Sequence, residues 1–521
     1  IPVNLDTIIL LEETVIPYGA FMNTTIKDVQ FETVSEIRDY AFYNSKVESV
    51  NSNRTDKEIR FNDTVVSLGS YAFAGVTNIQ RIIVNHTIGK QPTSTTKDRY
   101  LGDYVFANNT LESDGIVIEN YELGDHMFDN TQIQTLTLPA NILYVGTHVF
   151  ANNKLLSSAS IQNTIIGEYM FYHNTGLRRA FIPDNIEEIG YAAFGACPNI
   201  ATMRLPFVGN HRYDESASKF EGLFGYVFGH QTEEDAAMAE IVQTFAGNGI
   251  ETVHLDIKEK QNVSVDETIY TTFDLDPEDG GYHFLVPKAL DIITMIDDTV
   301  IGDSAFMGLS MVSTFNLCSK TTTIKSHAFE NCMSTSFNTI SLPEKVSTIE
   351  EYAFKNCQFL RTVEYHNNPL TTISEGTFYN CYSLEEAILL DSITKIEDYA
   401  FYNCIALTEA TVHASVEEIG YAAFGGCIGL GTMELPFVGA APYRTLKTIF
   451  TDGSKTEEER ALAKKKTLFG YIFGELVPGY DKGSYEDALY TGFGLSSAQR
   501  YEEYTIAHQL SYDFYIPKNL K

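Results

Sequence analysis

Seven cysteines are the residues of widest chemical reach in this chain, because a thiol can bridge, ligate zinc or attack a substrate. Their spacing argues against all three. Cys197, Cys332, Cys357, Cys381, Cys404 and Cys427 each close the same short phrase, Cys318 stands apart, and no Cys-x-x-Cys pair with metal spacing occurs. Side chains in one repeated register share one environment, so these thiols are expected to be small buried groups, with no metal and no cofactor. Asn109, Thr131, Asn153 and Asn174 take the same place earlier in the chain. The histidines are scattered, and the sequence holds no His-Glu-x-x-His, no Gly-x-Ser-x-Gly and no phosphate-binding glycine loop ending in Lys-Ser/Thr. Gly222, Gly225 and Gly229 lie among aromatics, where they let the backbone turn beside packed rings. Residues 274–280 concentrate carboxylates of the kind that hold calcium, but Pro277 and the absence of a glutamate five residues beyond Gly280 depart from EF-hand spacing, and a solvated turn is the competing reading. Asn23, Asn53, Asn62, Asn85, Asn108 and Asn262 begin Asn-x-Ser/Thr sequons, which matter only in a eukaryotic secretory host. No catalytic constellation is expected.

The phrase that the cysteines close is the unit that must position everything else. It is clearest in Tyr352-Ala353-Phe354-Lys355-Asn356-Cys357 and Tyr399-Ala400-Phe401-Tyr402-Asn403-Cys404. Its phenylalanine recurs at Phe21, Phe42, Phe73, Phe106, Phe128, Phe150, Phe171 and Phe194, and again at Phe306, Phe329, Phe354, Phe378, Phe401 and Phe424. Most steps are 21 to 25 residues. The steps from Phe42 to Phe73 and from Phe73 to Phe106 carry about ten more, expected as loops on the outer rim. Ahead of each phrase, alternation at period two marks a short strand with one buried face, as in residues 360–365, 133–138 and 340–342. Proline then stops the ladder in Leu138-Pro139, Ile182-Pro183, Leu205-Pro206, Leu342-Pro343 and Leu435-Pro436. A second extended segment, carrying Val346 and Ile349 or Ile393 and Ile396, leads into the aromatic phrase. No single unit buries both of its apolar edges, so copies must stack.

These units resemble the BspA-like leucine-rich repeats of bacterial surface proteins, over about two thirds of the chain and through many concordant copies. The resemblance implies a right-handed leucine-rich-repeat solenoid built on a parallel strand stack with short second strands. The array is itself duplicated. Residues 189–209 recur as 419–439, and each copy leads into a module sharing Leu223-Phe224-Gly225-Tyr226-Val227-Phe228-Gly229 and Leu468-Phe469-Gly470-Tyr471-Ile472-Phe473-Gly474. The expected domains are a first array at 1–205, a module at 206–285, a second array at 286–435 and a second module at 436–521. The modules read as small β-rich or α+β spacers or caps with alternating segments at 267–275 and 501–510, a short helix over 232–245, and another helix started by Thr456 with Glu459. Both modules end in an Ile/Val-Pro-Lys phrase similar to the first residues of the chain. That similarity points to a longer parent protein, with signal peptide and anchor elsewhere.

Charge narrows the partners. Sixty-nine acidic and thirty-six basic residues give a formal charge of −33, and Lys464, Lys465 and Lys466 form the densest basic run, which disfavours nucleic acid. No apolar run is long enough for a membrane span. The solvent-facing strand positions are expected to be Arg81 and Ile83, Arg179 and Phe181, and Thr202 and Arg204 in the first array. In the second they are Thr362 and Glu364, Glu386 and Ile388, Glu409 and Thr411, and Thr432 and Glu434. Arg81, Arg179, Phe181 and Arg204 would form a basic and apolar patch, while Glu364, Glu386, Glu409 and Glu434 would line up as an acidic ridge. The resemblance implies surface adhesion, with host extracellular or microbial surface proteins or glycans as partners. The alternatives are a structural spacer and, in the modules, a carbohydrate-active enzyme.

Overall fold

The alternating segments form strands and the aromatic phrases form the turns between them. A computed structural model of the protein describes residues 6–52, 54–88, 101–216, 218, 220–229, 250–255, 271–273, 283–387, 389–474, 501–505, 513–517 and 520. The expected helix at 232–245 and the carboxylate-rich turn at 274–280 lie outside the described residues. The chain divides into two compact units, Ile1–Ile293 and Thr294–Lys521.

In the first unit most coils contribute one longer strand and one two-residue strand, and these pair in parallel. Thr7–Leu10, Asp28–Phe31, Ser49–Val50, Glu58–Arg60, Arg81–Val84 and Ile116–Ile118 make one sheet. Its register sets Ile8, Val29, Val50, Ile59, Ile82 and Ile116 side by side. The two-residue strands align Ile16 with Ile37 and Leu68, then Leu123 with Val145, and Ile166 with Ile189. Nearly all of these side chains are buried, and each contributes about 1.5 to 3 kcal/mol relative to exposure. The second unit repeats the plan, with Ile301, Ile324 and Ile349 in one column and Ile373, Ile396 and Ile419 in another. This is a stacked leucine-rich-repeat solenoid, as the periodicity implied.

The aromatic phrases supply a third ladder. Each anchor phenylalanine donates its amide hydrogen to the residue before the next anchor, as Phe42 does to Ala72 (2.7 Å) and Phe354 to Thr377 (2.9 Å). The rings follow the backbone. Phe42 and Phe73 stack at 4.7 Å between centroids, Phe106 and Phe128 at 5.4 Å, and Phe329 and Phe354 at 5.1 Å. Such pairs add about 0.5 to 1.5 kcal/mol beyond their area. The first residue of the phrase turns the chain in the left-handed region, with Tyr40 at φ 57, Tyr71 at 57 and Tyr352 at 55, a conformation that costs a bulky side chain energy. Stacking of these same rings offsets that cost: Tyr40, Tyr71, Tyr104, His126, His148 and Tyr169 form a second aromatic ladder with steps of 5.0, 4.8, 4.1, 4.5 and 4.5 Å.

All seven cysteines are free and buried, the six of the shared register as expected and Cys318 with them. Six of them explain why the position accepts either cysteine or asparagine. The thiol of Cys381 donates to the carbonyl of Phe354 one coil earlier (3.1 Å), and Cys197, Cys332, Cys357, Cys404 and Cys427 repeat the bond. In the first unit the Asn153 and Asn174 amides reach the Phe128 and Phe150 carbonyls at 2.9 and 3.0 Å. The rule is not universal at this position: Thr131 donates to Phe128 of its own coil (3.3 Å), and the Asn109 side chain is buried without a hydrogen-bond partner. Burial raises the pKa of the Cys197 thiol to about 12.

The two longer steps do not both become rim loops. The residues added between Phe42 and Phe73 enter the strand stack: Ser49–Val50 pairs with Glu58–Arg60 across a one-turn 3-10 excursion at Arg54–Asp56. The short-strand column runs past without an extra member, since Glu36–Ile37 pairs directly with Ser67–Leu68. An aliphatic Val50 with nothing else to cover it is more stable between Val29 and Ile59 than on a rim. The extra residues of the next step fall on 89–100, outside the described residues.

The module phrases close the coils. Phe194 donates to Val227 (2.9 Å) and Phe424 to Ile472 (2.9 Å), so the Leu-Phe-Gly-Tyr phrase takes the place of a further anchor turn in each unit. Ile189 and Ile419 donate to Asn210 and Ala440 (2.8 and 2.7 Å), closing the short-strand column likewise. Gly225 is required there, since a Cβ would meet the Phe284 ring at 2.2 Å. Ile250–Leu255 pairs antiparallel with His283–Pro287 and parallel with Thr271–Phe273. Tyr501–Thr505 pairs antiparallel with Asp513–Pro517. In the second module, Thr456 and Glu459 form the expected capping box for the helix Glu457–Lys465, which packs on Tyr443–Thr451.

Two predictions follow from the ladders. Burial, reinforced by His126, lowers the His148 pKa from 6.5 to about 4. Above pH 6.5 the imidazole is neutral whether the chain is folded or not; between 6.5 and 4 the unfolded chain takes up a proton that the fold refuses, and stability is lost. The calorimetric melting temperature of the full chain should therefore drop less over this window in His148→Tyr, which restores the tyrosine of neighbouring coils, than in the parent; equal drops would refute this. For the thiols, Cys381→Ala should lower stability to urea by about 1 kcal/mol, through a small cavity and a lost donor to Phe354. Cys381→Asn should retain more of it.

Candidate functional site

The longer strands turn alternate side chains outward, and their parallel register sorts these into columns. In the first unit Leu136, Ala180 and Met203 point into the core while Thr135, Thr137, Ser158, Ser160, Arg179, Phe181 and Arg204 are exposed. Thr135 lies opposite Ser158 and Thr137 opposite Ser160; Arg179 lies opposite Thr202, and Phe181 opposite Arg204. A lane of hydroxyls thus leads to a ring that is 51% exposed and flanked by guanidinium groups. Among the described residues neither Arg179 nor Arg204 takes part in an ion pair. The outward side chains of these four strands include no acid.

Arg81 is also exposed, but it lies in a different sheet, opposite Glu58, whose carboxylate is held by Arg60 at 2.8 Å. It does not join the Arg179 patch. Ile83 was expected to face solvent and is instead buried, 7% exposed, because it sits between Arg60 and Val117, in the fifth strand of the six-stranded sheet. The structure brings Arg179, Phe181 and Arg204 together and leaves Arg81 out.

In the second unit Glu364, Glu386, Glu409 and Glu434 are all exposed, but they do not form one line. Glu386 is opposite Glu409, and Glu409 is opposite Thr432; Glu434 lies opposite Thr411, and Glu364 opposite Ser341. Period two explains the correction: Glu364 and Glu434 close their strands, whereas Glu386 and Glu409 open theirs, so they belong to different columns. Thr362 is exposed beside Thr339, and Ile388 lies outside the described residues. Only Glu386 and Glu409 meet as like charges.

Two polar features went unanticipated. Asparagines two residues after several anchors, in the left-handed region, join in a side-chain ladder, Asn356 to Asn331 (2.7 Å), Asn380 to Asn356 (2.8 Å) and Asn403 to Asn380 (2.9 Å). Asparagine tolerates that conformation best among side-chain-bearing residues, so the repeated x-Asn-Cys was the available signal. A groove beside the inserted Ser49–Val50 strand was also missed; its signal was the long step from Phe42 to Phe73. Among the described residues no group of three histidine, cysteine, aspartate or glutamate side chains is placed to hold a metal ion. No described helix is long and apolar enough to cross a membrane.

Coils of this length, with short parallel strands and a shared aliphatic and aromatic interior, define a leucine-rich-repeat solenoid. Residues 52–95, 99–216 and 295–436 match the BspA type leucine rich repeat region, and the chain belongs to that family. No curated protein matches the sequence. Among solved structures it is similar to a leucine-rich repeat protein from Bacteroides ovatus, at 19% identity and TM-score 0.30, over 83% of this chain and 82% of that one. It is similar as well to a leucine rich cell surface protein from Faecalibacterium prausnitzii, at 20% identity and TM-score 0.27, over 79% of this chain and 88% of that one. The pneumococcal vaccine antigen PcpA matches at 10% identity and TM-score 0.29, over 77% and 86% of the two chains.

The Glu386 and Glu409 pair makes a measurable statement. Like charges directly across adjacent strands cost about 0.2 to 1 kcal/mol. Glu386→Thr should raise urea stability by that order at low ionic strength, and the gain should vanish near 1 M salt, where the Debye length is about 3 Å. A gain independent of salt would assign the effect to strand propensity instead.

Proposed function

We propose that the chain is a binding segment of a cell-surface protein, an adhesin whose outward strand faces recognise host extracellular or microbial surface macromolecules, and that it catalyses nothing. The observation that carries this reading is the patch of Arg179, Phe181 and Arg204 at the end of the Thr and Ser lane. A half-exposed phenylalanine between arginines is the composition of a binding hot spot: the ring supplies apolar area and the guanidinium groups supply forked donors to carboxylate, sulfate or phosphate. Membership of the BspA type repeat family supports a surface role and protein binding in general. The Glu386 and Glu409 pair, with Glu364 and Glu434 nearby in the second unit, is the other candidate contact face, suited to a cationic partner.

The spacer reading keeps one specific support. The closing bonds from Phe194 to Val227 and from Phe424 to Ile472 end the aromatic-turn ladder of each array on its own module, which suits units strung in series. On this reading, modules 206–285 and 436–521 terminate arrays 1–205 and 286–435.

Binding of the full chain to immobilised extracellular matrix proteins and glycans, read by surface plasmon resonance, separates the two. The double variant Arg179→Glu/Arg204→Glu and the single variant Phe181→Ser are expected to lose about tenfold or more in affinity for at least one captured partner, equivalent to about 1.4 kcal/mol. Unchanged binding to every partner, in these variants and in Glu386→Lys/Glu409→Lys, would leave the chain a spacer.

A further inference from the structure

The longer-strand stack of the first array does not stop at Thr202–Leu205. The Ala201 carbonyl accepts from the amides of Asp291 (2.9 Å) and Ile292 (3.2 Å), so residues 286–293 bring a further strand onto the open edge of that one. Each half of this junction recurs elsewhere in the chain. The incoming half recurs as residues 1–8, where Pro2, Leu5, Asp6 and Ile8 match Pro287, Leu290, Asp291 and Ile293. The receiving half recurs in the second array, where residues 431–438 stand in the place of 201–208. Neither repeat is mated: among the described residues no strand pairs with the outer edge of Thr7–Leu10 or of Thr432–Glu434. Exposure records the difference. Met203 and Ile293 are fully buried, whereas their counterparts Met433 and Ile8 are half-buried, and Val208 is 5% exposed where Val438 is 60%.

We propose that these two faces mate between copies of the chain, the Thr7–Leu10 edge of one copy continuing the strand stack past Thr432–Glu434 of another. The internal junction fixes the register. The Thr7 amide donates to the Gly431 carbonyl of the second copy as Ile292 does to Ala201, which sets Ile8 beside Met433 and Leu10 beside Leu435. Main-chain pairing of two open edges supplies affinity, and the inward apolar side chains hold the register. A second copy is the occupant because the chain carries both halves, each matched in sequence to a junction it already makes. The contact joins unlike faces, so every added copy presents a fresh edge and assembly runs beyond the dimer. It uses neither the Arg179 patch nor the Glu386 and Glu409 pair, and stands or falls apart from the binding reading.

Sedimentation velocity of the full chain, run at about 0.5 M salt to screen the repulsion between copies of charge −33, tests the proposal. The weight-average sedimentation coefficient of the parent should rise with concentration up to about 0.1 mM, past the value of a dimer. Ile8→Lys and Met433→Lys each put an ammonium on one face, where its long stem reaches water in the free chain but not in the junction. Each variant alone should stay monomeric. Mixed together they should give a one-to-one dimer that grows no further, since each keeps the face that the other lacks. Thr7→Pro, at an exposed first position of an edge strand where proline is tolerated, removes the donated amide; it should weaken association of the parent about tenfold and leave the melting temperature unchanged. A parent that is monomeric throughout, or whose association survives both lysine variants, would overturn the proposal. So would a mixture in which no dimer forms.

Discussion

A single coil of this protein leaves amide and carbonyl groups unpaired along both of its edges, and only another coil can pair them. Buried backbone groups without partners are too costly to tolerate, so the satisfaction of one coil by the next governs everything else in the fold. Three sets of ladders meet the requirement between coils, through the longer strands, the two-residue strands and the aromatic turns. The side chains follow from this. Once the backbones are in register, like residues must neighbour like, so phenylalanine stacks on phenylalanine and a thiol or carboxamide meets the anchor carbonyl of the preceding coil.

The same constraint explains the modules. The turns at Phe194 and Phe424 have no further anchor to follow them, and in both units the Leu-Phe-Gly-Tyr phrase supplies the missing carbonyls from Val227 and Ile472. The close approach of Phe284 to Gly225 shows that this closure is packed as tightly as the coils it ends. Function is thereby confined to what the ladders leave over: alternate strand side chains and places where the regular plan is interrupted. The Arg179, Phe181 and Arg204 patch belongs to the first kind and the open edges of Thr7–Leu10 and Thr432–Glu434 to the second.

Much of this was legible in the residues. The phenylalanine period located the anchors, the x-Asn-Cys register foretold buried thiols, and Thr456 with Glu459 announced a helix start. These signals are local, or repeat often enough to average out noise. What failed depended on register between coils. Glu364 and Glu386 read alike as outward glutamates, yet one closes its strand and the other opens it, and a difference of two positions along the strand keeps both outward but sets them in different columns. Ile83 alternates correctly with Ile82 and is covered all the same by its neighbours in the sheet. The extra residues after Phe42 looked like a loop because length alone does not say whether Val50 will find a place between Val29 and Ile59.

The ladders also set how such an array yields to force. Their bonds join successive coils, so a pull that separates neighbouring coils loads one interface at a time instead of shearing many strands together. Each coil released pays out 21 to 25 residues, about 80 Å of slack at about 3.3 to 3.6 Å per residue, while the coils behind it stay folded. Tethered in moving fluid, an array built this way lengthens by instalments and rewinds onto its own remaining template when the load drops.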